Sequence, residues 1–106
     1  MRLALAAAAV LAAAPMLAGP AAASSCNRPL FVALLTDARV ARDMHDPFYL
    51  TTAVGPERAQ IIAAGRQAGQ PVEDDAATFV HDAMKGTQPG LAAAIVDLRA
   101  ILAVCR

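Results

Sequence analysis

The chain has two cysteines, Cys26 and Cys105, and between them lies nearly everything that follows an apolar opening segment. Oxidised together, they would require the first and last elements of the fold to meet. Whether they are oxidised depends on compartment, because disulfides persist in exported proteins and are rare in the cytosol. The opening segment bears on this. Met1 and Arg2 give a short positive start, Leu3 to Ala14 is apolar and uncharged, and a Pro- and Gly-containing stretch ends in Ala21-Ala22-Ala23. This order is that of a cleavable export signal, and the apolar run falls short of the roughly 20 residues that span a bilayer.

The sequence therefore predicts a signal peptide over residues 1–23 and an exported domain over residues 24–106, with no membrane span once the signal is removed. In that setting Cys26 and Cys105 read as one disulfide. The alternative is a lipoprotein, with Cys26 carrying a lipid after Ala23-Ser24-Ser25 and Cys105 left alone. The expected location is extracellular, periplasmic or in the cell envelope.

Removing 23 of the 106 residues leaves 83, enough for one domain. Without Arg2 the basic count drops from nine to eight against nine acids, a net charge of −1 with both signs scattered. That balance argues against a nucleic-acid partner. With no tryptophan, one tyrosine and three phenylalanines, the core must be built largely from Ala, Leu, Ile and Val, and so small a core needs a covalent staple.

Apolar residues recur at helical spacing and no β-alternation extends beyond a few residues, so the predicted fold is all-α, a small disulfide-closed domain of four to five helices. The first helix starts at the N-cap Asn27, with Pro29 in its first turn, and runs to about His45 on a stripe of Leu30, Leu34, Ala38, Ala41 and His45. Asp46-Pro47 stops it and caps a short turn through Phe48, Tyr49 and Leu50. Gly55-Pro56-Glu57 restarts a helix carrying Ile61 and Ile62, which ends at Gly65 or Gly69. After Gly69-Gln70-Pro71, the acids Glu73, Asp74 and Asp75 open a helix with Ala76, Phe79, Val80, Ala83 and Met84 on its apolar face, ending at Gly86. The last helix follows Gln88-Pro89-Gly90, with Leu91, Ile95, Leu98, Leu102 and Cys105 on one stripe.

No phosphate loop, CxxC, CxxCH, HExxH or Gly-flanked nucleophilic serine occurs, so the expectation is a non-enzyme. The acidic run at 73–75 reads as a solvated helix start rather than a catalytic carboxylate pair. The remaining candidates are His45, Tyr49 and His81. Imidazole and phenolate both ligate haem iron, and Tyr49 stands beside Phe48, Leu50 and Val54, which offer an apolar wall. The sequence thus predicts Tyr49 as the principal ligand for haem or a similar flat apolar molecule, assisted by His45 or His81, with Arg39 or Arg42 reaching a propionate. Against this stand ordinary packing roles: a hydrogen-bonded core or rim histidine at 45, a packing aromatic at 49 and a surface histidine at 81.

Tyr49-Leu50-Thr51, then Pro56 and the Ile61-Ile62 helix, Gln70-Pro71, the Phe79–Met84 helix, Pro89 and the Leu98–Cys105 ending resemble, in order and rough spacing, the secreted haemophore-like family of actinobacteria. The resemblance covers most of the exported chain. It implies haem held by a tyrosine in the Tyr-Leu segment, a histidine before the proline and a histidine in the later helix. Tyr49 and His81 match two of these, while Gly55 stands where the middle histidine would be and two extra residues separate Tyr49 from Pro56. A weaker resemblance to secreted helical chorismate mutases, through Gly69-Gln70-Pro71-Val72-Glu73-Asp74, stops where an Arg-Glu pair gives way to Ala76-Ala77-Thr78. The other class of function left open is a non-enzymatic envelope protein that binds a protein partner or receptor.

Overall fold

The computed structural model describes residues 25–106; the expected signal peptide, residues 1–23, lies outside the described residues. Those residues form five α-helices: α1 (Arg28–Asp43), α2 (Pro47–Val54), α3 (Arg58–Ala68), α4 (Val72–Ala83) and α5 (Gln88–Val104), with a 3-10 turn at Gly55–Glu57 joining α2 to α3. The all-α expectation is met, with no strand among the described residues. Along the molecule α3 packs on α4, α4 on α5 and α5 on α1, while α2 crosses one end and touches α1, α4 and α5.

Local chemistry sets most boundaries. Asn27 accepts a hydrogen bond from the Leu30 amide at 3.3 Å and Pro29 occupies the first turn of α1. Asp46 caps α2 by accepting from the Phe48 amide at 3.1 Å. Thr87 caps α5 by accepting from Gly90 at 3.1 Å, so α5 begins before Pro89 rather than after Gly90. Gly69 ends α3 at φ 83°, a conformation that side chains resist.

Gly65, the other expected terminator, is buried inside α3 instead. A Cβ there would stand 2.8 Å from Ala76 Cβ, so its missing side chain lets α3 approach α4. On the opposite flank, a Cβ on Gly90 would stand 2.6 Å from the Asp82 carbonyl oxygen, so α5 starts equally close to the end of α4.

The end of α1 also corrects the sequence reading. The first helix ends at Asp43, with His45 left-handed at φ 53° and exposed, not inside an apolar stripe. The Asp46 amide reaches back to Ala41 O at 2.9 Å and the His45 amide to Arg42 O at 3.1 Å, the paired bonds of a Schellman ending. Histidine is among the residues that enter this region most readily. The face α1 buries is Phe31, Leu34, Leu35, Ala38 and Ala41.

The core joins that face to Leu50 and Val54 of α2, Ile61 of α3, Val72 and Phe79 of α4, and Leu91, Leu98 and Ile101 of α5. At its end Cys26 and Cys105 are disulfide-bonded, their Cα atoms 5.5 Å apart. The pair fits the disulfide expectation. The Arg28 guanidinium donates to the Cys105 carbonyl across the same junction. Among the described residues no helix is long and apolar enough to cross a membrane.

Candidate ligand-binding site

The three sequence candidates do not converge. His45 sits in the exposed turn between α1 and α2, where its carbonyl accepts from Gln88 Nε2 at 3.2 Å. Tyr49 is 37% exposed on α2, next to Phe48 at 66%, so most of the Phe48 ring is in solvent rather than forming a wall. The buried neighbours of this segment, Leu50 and Val54, turn into the core.

His81 lies elsewhere. It lines an open depression of about 460 Å³ together with Arg58, Ala77, Val80, Met84 and Lys85. That volume is within the usual range for small-molecule sites. Helical spacing explains the composition: Ala77, Val80, His81 and Met84 fall at i, i+3, i+4 and i+7 along the outer face of α4, and Lys85 follows one turn after His81. Arg58 enters from the first residue of α3, its Nε donating to the Gly55 carbonyl at 3.3 Å. Neither His45 nor Tyr49 lines the depression.

The position of α4 against α2 is fixed by Thr51 Oγ1, which donates to the Ala83 carbonyl at 2.7 Å. Lys85 is fixed from below, its Nζ 3.4 Å from the carboxylate of Asp82. Asp82 is the one buried ionisable residue among the described residues, 7% exposed at the α4–α5 contact. Facing it is Asp97 of α5, whose Oδ2 is buried without a hydrogen-bond partner. Burial, then the hydrogen bond and repulsion from Asp82, then the charge of Asp75 push the Asp97 carboxyl up to about 7. Neither Asp82 nor Asp97 stood out in the sequence, although Asp97 lies at i+3 from Ala94 and i−4 from Ile101, two core positions. Aspartate at such a position is the signal to look for.

What this surface offers is an imidazole and a thioether one turn apart, an apolar floor and two cations at the edge. No group of three or more His, Cys, Asp or Glu side chains able to hold a bare metal ion occurs among the described residues. Comparison with models of protein families, with curated proteins and with solved structures finds no match to this chain.

Proposed function

We propose that the domain is an exported, non-enzymatic binder of haem or a similar flat apolar ligand bearing anionic groups, and that the ligand sits in the α4 depression. The observation that supports this reading is the grouping of His81 and Met84 with Arg58 and Lys85 around Ala77 and Val80. Imidazole and thioether are both axial ligands of haem iron, and guanidinium and ammonium groups pair with carboxylates such as propionates. Iron delivered within a porphyrin needs as few as one protein ligand, and a single helix face can supply one. Export is supported by the signal-like residues 1–23 and by the disulfide.

This places His81 ahead of Tyr49 as principal ligand. Titrating the oxidised protein with haemin is expected to give a Soret shift at a stoichiometric ratio. His81→Ala should weaken it strongly, with Tyr49→Phe and His45→Ala close to wild type. Loss of the shift in Tyr49→Phe alone would move the ligand to the α1–α2 corner. Absence of any shift in the wild type would end the haem reading.

A second reading has its own observation. Of the seven large apolar side chains exposed among the described residues, four, Val40, Met44, Phe48 and Tyr49, fall in the span 40–49. Clustered exposed apolar groups mark interaction surfaces. An envelope protein partner at the α1–α2 corner is therefore the account that a negative haemin titration would favour.

A further inference from the structure

The residues around the α4 depression are unevenly placed. Ala77, Val80, His81, Met84 and Lys85 run along one face of α4 and its C-terminal turn, and only Arg58, at the edge, comes from another element. The depression therefore has one wall. His81 and Met84 are three residues apart and project from the same side of the helix, so they meet the same face of a flat ring and cannot take its two opposite axial positions. His45 and Tyr49, the other candidate ligands, do not border the depression.

A small-molecule site ordinarily encloses roughly 70–90% of its ligand. One wall covers one face of a ring and leaves the other in water. None of the lining residues is buried, and Arg58, Ala77, His81 and Lys85 are exposed, so a second surface has free access to that other face.

We propose that the depression is half of a site, completed by the same surface of a second copy of this chain, so that one haem joins two copies through the His81 of each. This rests on the haem reading above.

Charge and symmetry point to a second copy as the occupant. The charged side chains of the lining, Arg58 and Lys85, are both cations. Asp82 lies 3.4 Å from Lys85 Nζ and offsets part of its charge, while Arg58 forms no ion pair among the described residues. Two empty copies brought face to face therefore repel. A ring bearing two carboxylates reverses that sign and gives the cations of both copies an anionic edge to pair with. A two-fold axis through the ring presents the same surface from either side, and the missing axial ligand is then the second copy's His81. Assembly would follow the supply of ligand, because the ligand is itself the contact.

The test is sedimentation velocity of the oxidised protein with increasing haemin, read beside the Soret band. Without haemin the protein should sediment as a monomer. At half an equivalent per chain the mass should double and the low-spin spectrum of two imidazoles at iron should be complete. At several equivalents each copy takes its own ring, and the monomer should return. Metal-free protoporphyrin, with the same propionates but no iron, should leave monomers. So should haemin with His81→Ala, a substitution at an exposed position that the fold tolerates. A Soret shift that saturates at one haemin per chain with the mass unchanged overturns the bridge and leaves the haem reading standing, whereas no Soret shift overturns both. A dimer present without haemin, or formed with metal-free protoporphyrin or by His81→Ala, also overturns the bridge, because the chains then meet through something other than His81 and iron.

Discussion

Two glycines show how differently the same residue is used in this domain. A Cβ at Gly90 would meet the Asp82 backbone at 2.6 Å, whereas one at Gly55 would meet nothing within 4 Å. Gly90→Ala must push α5 away from α4 and is expected to cost about 1–3 kcal/mol, as overpacking does elsewhere. Gly55 has helical dihedrals (φ −47°, ψ −54°) but precedes Pro56, whose ring crowds a Cβ in that conformation, so Gly55→Ala is expected to stay within about 1 kcal/mol of wild type. Thermal melts should show the larger loss for Gly90→Ala. The open space at Gly55 also accepts a larger side chain. On the haem reading Gly55→His, beside the Arg58 that borders the depression, should tighten haemin binding, and unchanged affinity would count against the haemophore resemblance. Individual residues were unevenly legible in the sequence. Asn27, Asp46 and the disulfide cysteines act through chemistry that neighbouring residues reveal. His45 was misplaced because a helical projection carries on past the point where the backbone reverses.

At the scale of helices, the sequence specified number and order well and rotational phase less well. Alanine is small enough to lie inside or outside, so in helices this rich in alanine the buried face is marked only by scattered Leu, Ile and Phe. The stripe read from Leu30 thus missed Phe31 and Leu35, both in the core, and the stripe of α5 chose the half-buried Leu102 over Ile101. The candidate site suffered for the same reason. Its residues are legible one by one, but the meeting of His81 with Arg58 depends on how α3 and α4 sit together. That placement rests on Gly65, which sequence reasoning took for a possible stop. Asp82 and Asp97 are a similar case, since each alone looks like a surface acid and only the α4–α5 register joins them.

For the molecule as a whole, the covalent link between Cys26 and Cys105 complements a core of mostly small side chains. Closing so long a loop removes unfolded-state entropy worth about 4–5 kcal/mol on the chain-entropy model, comparable with the stability of many small domains. Cys26→Ser and Cys105→Ser should therefore lower the melting temperature equally, and the double variant should be no less stable than either, because all three lose one bond. Additive losses in denaturant melts would mean that each sulfur also contributes separately. The bond also changes what a cut can do. Since it joins residue 26 to residue 105, the described chain is a ring with short tails, and a protease that nicks an exposed turn between helices releases nothing. The two pieces remain tethered at the α1–α5 junction, held in register by the helices on either side of the cut, so a molecule that has been cleaved once still presents the same surfaces.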